Sequence, residues 1–170
     1  MNKKLALIFV CTMIYGVSFA QDTPGQSIIK TNPIGLAFGN INLTFERALN
    51  NSSSFQVGAN FFTKILGTDV SGIGFNAGYR FYITNAKKPA PEGFYVGPRF
   101  AYNSFKEKST DISASTIGIG AMLGYQWVFD SGVTLDLGAG PTYLIAGEST
   151  TTVSFEGLVP NISFAVGYNF

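Results

Sequence analysis

The chain has 170 residues, enough for one domain, and only 12% of them are charged while 46% are hydrophobic, a charged fraction about half that of an ordinary soluble domain. A net charge of +1 offers no basic field for nucleic acid. Beyond the first twenty residues no apolar run approaches the roughly 18 residues that a membrane-spanning helix needs, so the apolar residues must be spread in alternation.

Residues 1–20 have the form of a secretory signal. Lys3 and Lys4 supply the positive start, Leu5 to Val10 and Met13 to Val17 the apolar stretch, and Ser18-Phe19-Ala20 a small-residue cleavage site. An uncleaved anchor helix is the alternative, and the short apolar stretch with its A-x-A-like end favours cleavage after Ala20. Cys11 is a poor lipid-attachment site, because Val10 precedes it and the hydrophobic segment runs on beyond it. Loss of Lys3 and Lys4 would leave nine basic residues against ten acidic ones, a formal charge of −1, and no cysteine. An exported chain without disulfides must be held by its fold, its solvent or a partner. Residues 21–27 are polar and turn-rich, a flexible lead-in.

From residue 28 to 170 the pattern predicts one all-β domain of eight period-two segments separated by turn signals. They lie near residues 28–37, 40–49, 54–65, 71–84, 93–104, 114–129, 133–147 and 158–170. Pro33 weakens the first of them. If residues 28–37 formed a plug or an extra-barrel segment, seven strands would remain. An even number is expected when both termini end in the periplasm, and this favours eight. In the fourth segment Ile73, Phe75, Ala77, Tyr79, Phe81 and Ile83 alternate with Gly74, Asn76, Gly78, Arg80 and Tyr82. In the sixth, Ile117, Ile119, Ala121, Leu123, Tyr125, Trp127 and Phe129 oppose Gly118, Gly120, Met122, Gly124, Gln126 and Val128. The seventh and eighth repeat this division.

A soluble sandwich would carry solvated charges on its second face. Here that face is mostly Gly, Ala, Ser, Thr and Asn. Small residues suit the crowded interior of a narrow barrel, and large apolar ones suit lipid. The predicted fold is therefore an eight-stranded antiparallel up-and-down transmembrane β-barrel. Asn50 to Ser53 and Asp130-Ser131-Gly132 read as tight turns. Longer, polar connections are expected around Gly67 to Ser71 and in loops 106–115 and 148–160. The turn Asn85 to Gly93 belongs by parity to the short set, yet it is longer than that set allows.

On these features the chain resembles the small outer-membrane β-barrel domain proteins, similar in build to the OmpX and OmpA transmembrane domains. The resemblance covers nearly all of residues 28–170. Its most specific element is the row Ile162, Phe164, Val166, Tyr168 and Phe170, which looks like the signal that the barrel-assembly machinery recognises. The block Lys30 to Arg47, with Gly93-Phe-Tyr-Val-Gly-Pro-Arg99, looks like uncharacterised barrel proteins common in Bacteroidota. The resemblance implies residence in the outer membrane, in contact with its lipid, and leaves the role open.

Chemistry is poorly provided for. Without residues 1–20 the chain has neither histidine nor cysteine. The membrane-barrel hydrolases and acyl transferases resemble one another in needing a catalytic histidine, and zinc loses its preferred ligands too. No close pair of acids marks a carboxylate-only enzyme, and Gly118-Ile-Gly-Ala lies inside a strand rather than before a helix. A non-enzyme with no cofactor and no metal is expected. Glu46, Arg80, Arg99 and Asp136 fall on inward positions of four strands. They are read either as an ion-pair network that locks a plugged lumen or as the constriction of a small channel. Loops 106–115 and 148–160 are the candidate contacts for a surface partner. A third reading, a soluble exported barrel carrying an apolar ligand, leaves the apolar outer face without a use.

Overall fold

The computed structural model describes residues 27–65, 68–107, 113–149 and 156–170. Eight strands run in chain order: β1 (Ser27–Thr31), β2 (Asn40–Asn50), β3 (Ser53–Ile65), β4 (Thr68–Tyr82), β5 (Gly93–Glu107), β6 (Ser113–Val128), β7 (Val133–Ser149) and β8 (Gly157–Asn169). Each pairs antiparallel with its neighbours in sequence, and β1 pairs with β8 to close an up-and-down barrel. Closure brings the two ends of the described barrel together, with Phe170 N–H donating to Ser27 O at 2.8 Å and Ser27 N–H to Phe170 O at 3.2 Å. Full closure leaves few unpaired strand edges, the usual route to aggregation.

The first strand is shorter than the alternation predicts. Only residues 27–31 are extended, and Pro33–Ala37 form a single helical turn, α1. Three residues account for the change. Asn32 caps the turn, its Oδ1 accepting from Gly35 N–H at 2.9 Å; Pro33 takes the first helical position, where its missing N–H costs nothing. Gly39 then ends it with φ +83°, the left-handed conformation that glycine adopts most readily. Ile34, Leu36 and Phe38 imitate strand alternation, yet all three are exposed and no strand pairs with them. Because β1 is so short, it covers only Thr44 to Arg47 of β2 and Val166 to Asn169 of β8. Asn40 to Leu43 of β2 and Gly157 to Ala165 of β8 face one another without a strand between them. α1 packs against both across this seam.

The connections follow local chemistry. Asn50 accepts Ser52 N–H on its own side chain at 2.9 Å, an Asx turn joining β2 to β3. Gly132, at φ +82°, ends the β6–β7 turn and donates to Phe129 O at 2.8 Å. Of the longer loop expected around Gly67 to Ser71, residues 68–71 are instead strand, Thr68 pairing with Ile65, and Gly67 lies outside the described residues. Strands also extend into the predicted loops 106–115 and 148–160, whose centres, residues 108–112 and 150–155, lie outside the described residues. So do residues 1–26, which include the expected signal and nearly all of the lead-in.

The barrel is apolar outside and polar inside. Ile41, Leu43, Phe61, Phe75, Phe100, Ile119, Leu123, Leu137 and Ile162 are among the large side chains left exposed. The fully buried side chains are mostly polar: Lys30, Gln126, Glu46, Thr134 and Ser54, with Tyr95 and Ile28. No described helix is long and apolar enough to cross a membrane.

Candidate functional site

The alternation that turns apolar residues outward aims Lys30 of β1, Glu46 of β2, Arg80 of β4, Gln126 of β6 and Asp136 of β7 at one point in the lumen. The point lies toward the tight-turn end. Glu46 Oε2 accepts Lys30 Nζ at 2.6 Å, Gln56 Nε2 at 2.9 Å and Arg80 Nη1 at 3.4 Å. Its other oxygen accepts Tyr82 Oη at 2.7 Å and the Ser54 hydroxyl. Asp136 Oδ2 accepts Arg80 Nη2 at 2.6 Å and Lys30 Nζ at 2.8 Å, while Oδ1 accepts Tyr95 Oη at 2.7 Å.

Gln126 bridges the two cations. Its Oε1 accepts Lys30 Nζ at 2.9 Å and Arg80 Nη1 at 3.1 Å, and its Nε2 donates to Tyr82 Oη at 3.3 Å. The Arg80 guanidinium also lies over the Tyr95 ring, 3.7 Å from its centroid, a favourable cation–π geometry. Two cations and two carboxylates thus cancel. Charges removed from water are costly unless paired and hydrogen-bonded, and every member here is.

Below the cluster the barrel is floored. The anomalously long turn after β4 folds inward, burying Ala90 and Pro91. Ala90 N–H donates to Asn51 O at 2.8 Å, tying this turn to the β2–β3 turn. Pro91 O accepts from Gln126 Nε2, which ties the floor to the cluster above it. Ala48, Tyr82, Ala90, Tyr95 and Met122 make a small apolar core within the lumen.

Of the four charges that alternation singles out, the structure brings together Glu46, Arg80 and Asp136. Arg99 stands apart. The β4–β5 register pairs it with Gly78, one inward position nearer the loops than Arg80, and among the described residues its Nη1 donates to Asn161 Oδ1, at 3.1 Å. Lys30, Gln126, Tyr82, Tyr95 and Ser54 also belong to the cluster, beyond the residues expected from the sequence. Strand parity places all of them inward. Lys30 escapes a reading of the sequence because Pro33 weakens its strand, and the others because charge alone does not select them. Ile162, Phe164, Val166, Tyr168 and Phe170, the expected assembly signal, alternate with the lumen-facing Asn161 and Ser163 and so lie on the outer face of the closing strand and its end; Ile162, Tyr168 and Phe170 are strongly exposed. Above the cluster, on the side away from the floor, is a cavity of about 240 Å³ lined by Asn42, Asn60, Asn76, Arg99 and Asn161 among others.

A family model described as "Protein of unknown function (DUF3575)" matches residues 5–154. No curated protein and no solved structure matches the chain.

Proposed function

The chain belongs to the DUF3575 family, and from that premise we propose that it is an outer-membrane β-barrel with a structural or surface-interaction role, its lumen plugged by side chains. One observation carries the reading: a closed barrel exposes a band of large apolar side chains while burying an ion-paired polar cluster. In water that arrangement would expose apolar surface far beyond the few hundred Å² that soluble monomers tolerate. In a bilayer it is the stable one. We place it among barrels of the OmpX and OmpA transmembrane type, exported with residues 1–20 removed and assembled by the barrel-assembly machinery. The role is non-enzymatic, and loops 106–115 and 148–160 face outward as the surface available to a partner.

The plug disfavours conduction. Eight strands enclose a space just wide enough for side chains, and here Lys30, Arg80, Gln126 and the floor turn fill it. A carrier of apolar cargo would need an apolar interior, and this interior is polar.

The test is recovery from the outer-membrane fraction followed by planar-bilayer recording of protein shown to be folded by heat-modifiable gel mobility. Detergent-dependent recovery and a silent bilayer are expected. Discrete openings whose ion selectivity shifts in Arg80→Gln would replace the plugged barrel with a channel. Recovery in the soluble fraction without detergent would replace it with the carrier.

A further inference from the structure

The lumen cluster is electrically complete without Arg99. Lys30 and Arg80 are balanced by Glu46 and Asp136, whereas no carboxylate among the described residues lies in ion-pair reach of the Arg99 guanidinium. Among the described residues it holds one side-chain hydrogen bond, to Asn161. Guanidinium presents five donors in a planar fork matched to carboxylate and phosphate, so most of its bonding capacity points into the cavity unused. Four amides, Asn42, Asn60, Asn76 and Asn161, line the same space, and the acid that reaches it, Asp136, is already paired with Lys30 and Arg80.

The strand on one side of Arg99 leaves space open. In the ladder Arg99 lies between Gly78 of β4 and Gly120 of β6. A Cβ on Gly78 would make only ordinary contacts, 3.5 Å from Pro98 O and 3.8 Å from Gln56 Oε1, whereas one on Gly120 would run into Pro141 O. The vacant volume therefore lies on the Gly78 side. At about 240 Å³ the cavity falls below the roughly 300–1,000 Å³ of drug-sized pockets, which suits a single charged group.

We propose that this cavity is a binding site for one anionic group, a carboxylate or a phosphate, held by Arg99 with amide donors around it and stopped from passing further by the neutral cluster beneath. Two routes lead in. A free anion would enter from the end of the barrel opposite the floor. The headgroup of an anionic amphiphile enters through the seam between β2 and β8, where α1 stands in for the missing length of β1 and its chain would remain among Leu43, Leu158 and Ile162 outside. The chemistry at Arg99 is the same for both.

The experiment is isothermal titration of the folded barrel in nonionic detergent micelles with inorganic phosphate, sodium butyrate and lauroyl lysophosphatidic acid, with uncharged monolaurin as control. Side-chain amide NMR signals report on Asn161. Arg99→Gln removes the charge and keeps a hydrogen-bonding side chain. Gly78→Val leaves Arg99 intact and fills the space beside it, and it carries the test alone should Arg99→Gln not fold. Binding that perturbs Asn161 and is about tenfold or more weaker in both variants is expected, the size set by loss of a charge-assisted hydrogen bond. Binding of phosphate or butyrate makes the ligand a free anion; binding of the lysophospholipid alone makes it a headgroup. No binding of any of the three anions, equal binding of monolaurin, or binding undiminished in Gly78→Val would overturn the proposal.

Discussion

Glycine at 167 leaves the space that the Lys30 side chain fills. A Cβ there would stand 2.6 Å from Lys30 Cγ and 2.8 Å from Thr134 Oγ1. Gly124 and Gly138 do the same for Tyr95, whose hydroxyl would be struck by a Cβ on either. The small inward residues are thus the complement of the large polar ones. Gly138→Ala is expected to push Tyr95 off Asp136 and cost about 1–3 kcal/mol, the range for overpacking a tight interior, measured by urea unfolding from lipid vesicles. Asp136→Asn is expected to cost more, about 3–5 kcal/mol, because it leaves two buried cations facing one carboxylate. A loss under about 1 kcal/mol in the same assay would mean that the cluster is not what holds the lumen. Strand parity alone makes Glu46, Arg80 and Asp136 legible as inward charges. It does not reveal that Arg99 stands apart, because alternation gives facing and not height along the barrel. Height depends on strand register, which here sets Arg99 level with Gly78.

At the scale of elements, the boundary between β1 and α1 decides how the wall closes. Asn32, Pro33 and Gly39 carry a complete helix start and stop, legible in the sequence but outweighed there by the period-two spacing of Ile34, Leu36 and Phe38. Partner edges continue on both sides past Thr31, at Asn40 to Leu43 and Gly157 to Ala165, so it is the helix start at Asn32 and Pro33 that ends β1. Asn32→Ala removes the cap and is expected to cost α1 about 1 kcal/mol. Since α1 buries no residue, the effect should appear as faster amide exchange over residues 35–39 with global stability nearly unchanged. Exchange no faster than in the parent would show that the seam is closed by something other than the cap. The turn after β4 is legible only as an excess of length. Its use as a floor rests on Ala90 meeting Asn51 and Pro91 meeting Gln126, contacts between residues far apart in sequence that no local pattern encodes.

For the whole molecule, the outward band makes a depth-dependent expectation. Leu123 lies in the middle of β6 and is 56% exposed; Leu158 lies near the loop end of β8 and is 72% exposed. By exposure alone, Leu158 would be the more sensitive to its surroundings. In a bilayer the order reverses: Leu123→Arg is expected to cost about 2–4 kcal/mol and Leu158→Arg about 0–1 kcal/mol, compared by unfolding from vesicles. Equal and small costs at both positions would contradict the membrane reading. The inside-out distribution itself is fully legible in the sequence, since it needs only the alternation and the near absence of charge from the bulky apolar face.

The cancellation of charge in the lumen also bears on how the barrel answers an electric field. Moving one elementary charge through a membrane potential is worth about 2.3 kcal/mol per 100 mV, but Lys30, Glu46, Arg80 and Asp136 sit at one level and sum to zero. A potential across the barrel therefore pulls the two signs equally and oppositely and does almost no work on the cluster as a unit. Arg99, a step higher and with no carboxylate among the described residues to balance it, is a lumen charge that voltage could displace.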